Sequence, residues 1–423
     1  MTSAFNGHPR GLYVLFATEL WERYGFYSMM AILTLYMDEH LRFSQQLSGQ
    51  IYGGYIGAVY FMPLLGGFLA DRVLGYNRAV MIGAVLMGLG YLSVASGPLP
   101  LFFGGLALVA TGSGFLKPNI STIVGNLYRE KPQLRDSAFN IFYMGINTGA
   151  FLAPFGVAWL RANYGWGPAI GSSAIGMVLA LLTFTFFNKH FADAAQRAQD
   201  HARPEAEPEP AEATRRTLAL LVIFAIAVAF WVAFYQNGYT LTFWARDNTA
   251  TTVSPEVFQA VNPLGIILFS PLLVLVWGWL RARNAEPSTP VKILIGMIFT
   301  VASFGVMVGA ALVAGETGKV SPAWLVSSYL LIAIAEISLS PMGLSLVSKV
   351  APPRRRGLLM GGWFVATSLG GYFSGYLGTL WSTMPHSRFF LLVCSLTAGG
   401  AVILTLVLQW LRPIFARALA EKS

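Results

Sequence analysis

Residues Glu19 to Tyr27 read ELWERYGFY, inside a run that is otherwise apolar enough to cross a bilayer. Two carboxylates and a guanidinium fall within five residues. On a helix Glu19 and Arg23 are i,i+4 neighbours with the acid on the amino-terminal side, the favourable order for a pair, and Glu22 and Tyr27 share the same broad face. That face cannot point at lipid. A charged side chain at the centre of a spanning helix costs roughly 2.5–3.5 kcal/mol even on the lenient insertion scale, so such groups face a protein interior or a wet cavity. The stretch therefore reads as a transport or relay site in preference to the polar end of a helix or a pair that only locks two helices together.

Working outward, the composition fits the same picture. Of 423 residues, 55% are hydrophobic and only 11% charged, and the mean hydropathy is +0.59, which belongs to a polytopic membrane protein and excludes soluble classes. The single cysteine, Cys394, sits in the last apolar segment and gives neither a disulfide framework nor a thiol-metal site. The five histidines, His8, His40, His190, His201 and His386, lie in loops or at segment ends. No metal centre and no histidine relay is expected within the membrane, so any buried proton carrier is a carboxylate. The amino terminus lacks the pattern of a removable signal peptide, and the first span is expected to stay in the mature protein. The net charge of +9 marks one side of a membrane and does not signal a nucleic-acid partner.

Apolar windows of about 19 residues give twelve candidate spans, starting near residues 12, 47, 79, 100, 137, 168, 216, 256, 291, 322, 357 and 388. The loops between them alternate in basic content. One set holds Arg72 and Arg78; Arg129, Lys131 and Arg135; Lys189, Arg197, Arg203, Arg215 and Arg216; Arg281, Arg283 and Lys292; and Lys349, Arg354, Arg355 and Arg356. The opposite set holds only Arg42, Arg161, Arg246, Lys319 and Arg388. The positive-inside rule makes the first set cytoplasmic and puts both termini in the cytoplasm. The segment around residues 189–215 contains ARPEAEPEPAEA, whose Pro, Glu and Ala content cannot build a core. It is read as a cytoplasmic linker between six spans over 1–188 and six over 216–423, the layout of two bundles that rock about a midplane site. Prolines 63, 118, 154, 263, 271 and 341 are expected within spans.

The stretch Gly66 to Arg78, GGFLADRVLGYNR, resembles the signature loop between helices 2 and 3 of the major facilitator superfamily. That resemblance implies a cytoplasmic gate in which Asp71, Arg72 and Arg78 latch helix ends. Four further motifs narrow it: ELWERYGFY, GFLKPNIS (Gly114 to Ser121), FNIFYMGINTGAF (Phe139 to Phe151) and AEISLSPMGLSLVSKVAP (Ala335 to Pro352), with NPLGIILFSP and GGWFVATS in agreement. In this order and spacing they resemble the proton-dependent oligopeptide transporter family, over essentially all of the chain outside the linker. The resemblance implies an all-α membrane protein of the major facilitator fold, with twelve helices in two six-helix bundles. Many bacterial members insert two extra helices between the halves, and the linker here is too short and too polar for them.

The residues carry a chemical reading of their own. Lys117 is the only lysine deep in a span, and a buried ammonium keeps its proton only beside carboxylates, of which Glu19 and Glu22 are available in the same half. Glu336 is the only deep carboxylate of the second half, and Asn147 and Asn262 offer neutral amides. Cations on one wall and an acid on the other suit a zwitterion: carboxylate toward Arg23 and Lys117, ammonium toward Glu336. The resemblance implies the same assignment, with Tyr27, Tyr60, Asn147 and Asn262 on the peptide backbone and Trp363 beside its side chain. Proton coupling is assigned to Glu19, Glu22, Arg23 and Lys117, with burial and neighbouring cations acting in opposite senses on the carboxylates.

Two departures from the family stand out. Many members carry an arginine eleven residues after the first glutamate of ELWER and an acid in span 7; here those places read Met30 and AFYQNGY, with Tyr235 and Gln236 near the expected acid. Neither charge is left unpaired by the loss of the other. The expected function is proton-coupled import of di- and tripeptides across the plasma (inner) membrane by a chain that functions as a monomer, with no cofactor beyond the proton. A relative that carries nitrate or another small solute suits ELWER plus Glu336 less well, and a non-transporting peptide receptor would share the sequence. A membrane-embedded enzyme lacks a catalytic constellation here, and a channel is disfavoured by the six-plus-six layout.

Overall fold

A computed structural model describes residues 7–196, 208–315 and 317–420. The first half of the Pro-Glu-Ala linker, 202–207, lies outside the described residues, as do Arg197 and His201. Among those described, the chain is all helical: α1 Arg10–Leu35, α2 Gln45–Leu69, α3 Tyr76–Ala95, α4 Leu99–Asn126, α5 Arg135–Tyr164, α6 Trp166–Phe186, α7 Pro210–Phe234, α8 Thr240–Asp247, α9 Val261–Arg281, α10 Thr289–Ala314, α11 Pro322–Val350, α12 Arg356–Gly378 and α13 His386–Ala420. A lone β-bridge joins Thr249 to Val320.

The helix starts follow from sequence. Pro210, Pro290 and Pro322 sit in the first turn of α7, α10 and α11, where a missing N–H costs nothing. Ser321 caps α11, its side chain accepting from the Ala323 N–H. Gly75, Gly165 and Gly315 take positive φ of 76°, 83° and 64° at helix junctions, a conformation other residues adopt only under strain. Pro63, Pro118, Pro154, Pro271 and Pro341 stand inside helices, whereas Pro263 is the third residue of α9, inside the first turn. Helix α7 starts at Pro210, within the stretch that composition assigns to a linker.

Ten helices, counted among the described residues, are long and apolar enough to cross a membrane. Helix α1 is not among them because Glu19, Glu22 and Arg23 interrupt its apolar run, and α12 is not because seven of its residues are glycine.

The chain forms two compact units. The described residues of Met1–Arg42 and Ala58–Asp200 make one; those of Phe43–Gly57 and His201–Ser423 make the other, so α2 is divided between them. In the first unit glycines set the helix spacing. A Cβ on Gly83 would stand 2.6 Å from the carbonyl of Gly112, and one on Gly105 2.6 Å from that of Gly90, so α3 and α4 meet backbone to backbone at two levels. Such close approach matters in a membrane, where packing replaces the hydrophobic drive between helices. In the second unit the same device joins the start of α2 to α12. A Cβ on Gly49 would lie 2.8 Å from Gly375 O, and one on Gly53 2.6 Å from Tyr372 O. Ser368 Oγ donates to Gly57 O at 2.7 Å, and Gln46 Nε2 to Ser382 Oγ at 2.7 Å.

Candidate functional site

In the first unit, α1 is held tightly by α5 and α6. A Cβ on Gly145 would stand 3.0 Å from Phe16 O, one on Gly176 2.8 Å from Trp21 O, and one on Gly25 2.7 Å from Ser173 O. With its backbone pressed between these neighbours, α1 buries its charged turn: Glu19, Glu22 and Arg23 are 2%, 0% and 3% exposed. Arg23 Nε lies 3.1 Å from Glu19 Oε1. The same guanidinium grips Glu22 with two of its nitrogens, Nε to Oε2 and Nη2 to Oε1, the latter at 2.7 Å. Such bidentate contacts are the strong form of a charge-assisted bond. Two carboxylates thus share one arginine, and Glu19 Oε2, buried, accepts no hydrogen bond from any described residue. That oxygen is free to take a proton or a second cationic partner.

Lys117 on α4 is the nearby cation, and it interacts electrostatically with both carboxylates. Its ammonium stands over the Tyr60 ring, 4.3 Å from the centroid, and forms no ion pair with a described residue. Sequence reading pairs Glu19 with Arg23 and sets Lys117 near both glutamates; in the structure Arg23 contacts both acids, and the lysine rests on an aromatic face. The position of Lys117 is set by Gly66 and Gly114, where α2 and α4 come into backbone contact. Asn119, buried two residues on from Lys117, reinforces the joint by donating to Phe115 O at 2.7 Å and to Gly66 O at 3.5 Å. Sequence reasoning misses Asn119, although an amide in the apolar run of α4 is a visible signal. Asn147 on α5 is buried and donates to Tyr143 O at 2.9 Å. Tyr27 is half-buried, edge-on to Phe26.

The loop after α2 is wound as a π-helical turn over Ala70–Leu74 and closed by the Gly75 N–H on Ala70 O at 2.9 Å. Asp71, Arg72 and Arg78 are exposed, and Arg72 stacks on Phe68 at 4.9 Å.

In the second unit, Glu336 on α11 and Asn262 on α9 come together, Asn262 Nδ2 lying 3.4 Å from Glu336 Oε2. Trp363 on α12 is buried, its indole against the bare Cα of Gly343 and edge-on to Phe224 at 6.0 Å. A side chain at Gly343 would collide with that ring.

Between α7 and α8 the helix breaks into a 3-10 turn, Tyr235–Gly238. The freed backbone groups find side-chain partners: Tyr52 OH donates to Tyr235 O at 3.1 Å and Tyr329 OH to Asn237 O at 2.9 Å. This satisfies the rule that irregular backbone at membrane depth needs internal partners. Gln236 is fully buried; its Nε2 donates to the Oγ and O of Ser374, both at 3.0 Å, while its Oε1 accepts from Thr240 Oγ1 at 2.8 Å. Tyr239 OH closes the group on Gln45 O. Tyr235 and Gln236, the residues that sequence reading singles out in span 7, thus lie in a turn held by a neutral network of phenols and amides.

With this geometry in hand, comparison with known proteins gives a family. The profile described as POT family matches residues 77–206 and 197–392. The chain belongs to the POT family. Peptide transporter YePEPT of Yersinia enterocolitica is 34% identical, over 88% of this chain and 88% of its own length. Dipeptide and tripeptide permease A of Erwinia pyrifoliae is 31% identical, over 88% and 86%. The crystal structure of peptide transporter POT in complex with sulfate shares 29% identity and a TM-score of 0.89, covering 97% of this chain and 96% of that one. This POT-family chain is accordingly a transporter and not an enzyme, and with its ten long apolar helices a multi-pass membrane protein.

Proposed function

We propose that this protein is a proton-coupled symporter that imports di- and tripeptides by alternating access. The observation that carries the reading is the buried turn in which one guanidinium serves two carboxylates and leaves Glu19 Oε2 open. A site in which two carboxylates share one guanidinium, next to an ammonium that rests on the Tyr60 ring, can exchange protons and bind a peptide carboxylate. Arg23 and Lys117 take the carboxylate of the peptide, Glu336 takes its ammonium, and Tyr27, Tyr60, Asn147 and Asn262 address its backbone, with Trp363 beside its side chain. The named activities of the two relatives, peptide transporter and dipeptide and tripeptide permease, support the substrate class.

The architecture we infer is the major facilitator fold: twelve spans, formed by α1 to α13 with α7 and α8 as the two parts of one broken span, in two six-helix bundles joined near 189–215 without extra helices. The basic loops favour a plasma-membrane orientation with both termini in the cytoplasm. Asp71, Arg72 and Arg78 form the cytoplasmic gate loop, the proton is the only coupling species and no other cofactor is needed. The protein works as a monomer. Proteoliposomes loaded for a pH gradient and supplied with labelled dialanine test the proposal: uptake that rises with the gradient and collapses with an uncoupler is expected, and uptake indifferent to both refutes symport.

A further inference from the structure

The carboxy end of α9 carries a second assembly that transport chemistry does not use. The last two turns of α9 bear Trp277 and Trp279, and apolar residues Leu272, Val274, Leu275 and Val276 above them are exposed, as expected of a lipid-facing helix. Trp279 is 57% exposed. After Arg281 the chain does not run on. Asn284 takes a positive φ of 56°, and the N–H groups of Arg283 and Ala285 both bond to Leu280 O, at 3.0 and 2.9 Å. This left-handed C-terminal turn, which asparagine tolerates better than most residues, folds Arg283 back on its own helix.

The guanidinium of Arg283 comes to rest 3.8 Å from the centroid of the Trp279 ring, and its Nη1 donates to Trp279 O at 3.4 Å. The other charges nearby are already spent. Arg281 binds Glu286 with two bonds, at 2.5 and 2.9 Å, and Lys292 binds the same carboxylate at 2.6 Å. These two cations hold the Glu286 carboxyl down to about 2, well below the usual carboxylate range, so it stays charged. The cluster has three cations for one carboxylate, and Arg283 forms no ion pair among the described residues.

We propose that Trp279 and Arg283 form a headgroup site for an anionic phospholipid. Arginine stacked on an aromatic face keeps its remaining N–H donors for phosphate oxygens in a planar fork. The indole sits where interfacial tryptophans lie, and the exposed apolar side chains of α9 run alongside the acyl chains. The occupant is a lipid and not free phosphate because half of the site is this apolar face. The site is independent of the peptide, and its test does not require transport.

The protein in nanodiscs of mixed phosphatidylglycerol and phosphatidylcholine, released and weighed by native mass spectrometry, reports which lipid stays bound. The wild type retains phosphatidylglycerol in preference. Arg283→Gln lowers that preference about fivefold, the factor that matches about 1 kcal/mol per basic residue at an anionic surface. Trp279→Leu lowers it too, whereas Arg388→Gln does not. Excess inorganic phosphate leaves the bound lipid in place. Equal retention of the two lipids by the wild type, an unchanged preference in Arg283→Gln, or displacement by phosphate would overturn the proposal. Thermal unfolding of each variant, run alongside, separates loss of the site from loss of the fold.

Discussion

Arg23 Nε stands 3.1 Å from one carboxylate oxygen of Glu19 while the other oxygen of that residue is buried without a partner among the described residues. The pair is therefore half made, and the unmade half is where chemistry can enter. Glu22, by contrast, is gripped at both oxygens. The two acids of one helical turn differ in environment although they differ little in sequence context, and separate roles follow.

Arginine at position 23 is needed for its fork. The substitution Arg23→Lys leaves a single ammonium that cannot grip both Glu22 oxygens and reach Glu19 as well. That variant should stay folded yet lower dialanine uptake at least tenfold. Arg23→Ala should be worse for the fold itself, because removing one member of a buried ion pair costs about 3–5 kcal/mol. Thermal unfolding in detergent checks both; equal melting temperatures for wild type and Arg23→Ala would contradict this account.

Glu336→Gln removes the charge assigned to the peptide's amino end but keeps an oxygen for Asn262, whose Nδ2 now lies 3.4 Å from Glu336 Oε2. A buried charge-assisted bond is worth about 1.5–3 kcal/mol, so peptide affinity should fall roughly 10- to 100-fold. Binding measured by competition settles the matter. A peptide with a blocked amino terminus that bound the native protein as well as the free peptide does would show that the assignment is wrong.

The glycine seam between α2 and α12 should tolerate no side chain. Gly53→Ala would bring a methyl to 2.6 Å from Tyr372 O and 2.9 Å from Gly375 Cα, an overpacking expected to cost about 1–3 kcal/mol. At its exposed end Gln46 and Ser382 already touch, at 2.7 Å. Cysteines at these two positions should be joined by a short bifunctional methanethiosulfonate, and under alternating access the bridged protein should stop transporting until reductant is added. Undiminished uptake by fully bridged protein would mean that the seam never opens.

Gly343 gives Trp363 its place. Gly343→Ala should displace the indole, changing its fluorescence, and should discriminate against peptides with bulky side chains more than against dialanine. Equal loss for both peptides would divorce Trp363 from the side-chain pocket.

Much of this is legible in the sequence because membrane spans announce themselves by length and apolarity. Each expected span start lies within about six residues of a helix start, and ten of these helices, counted among the described residues, are long and apolar enough to cross a membrane. The ELWER turn is legible too, since intramembrane charge is rare enough to demand a purpose. What is not legible depends on partners far apart in the chain. Gly49 and Gly53 look like any glycines in a membrane helix until Gly375 and Tyr372 are seen against them. Apolar windows run straight through the break at Tyr235–Gly238, because Tyr52, Tyr329 and Ser374, which satisfy it, come from elsewhere. Spacing gives the Glu19–Arg23 pair, but not the grip of Arg23 on adjacent Glu22 or the place of Lys117 over Tyr60, which turn on side-chain reach. The start of α7 at Pro210 escapes a composition argument because Pro, Glu and Ala mark both a flexible linker and a good first helical turn.

The most direct test replaces each acid of the turn separately. A ligand drives a conformational equilibrium only through differential affinity, so coupling requires a group whose hold on the proton changes with the state of the transporter. A potential of 100 mV supplies about 2.3 kcal/mol per charge, enough for roughly 50-fold accumulation of a neutral peptide with one proton. In proteoliposomes with a pH gradient as the only energy source, Glu19→Gln or Glu22→Gln should abolish accumulation in at least one case while exchange of labelled for unlabelled peptide continues. If both variants still concentrate peptide, the proton does not travel through this turn.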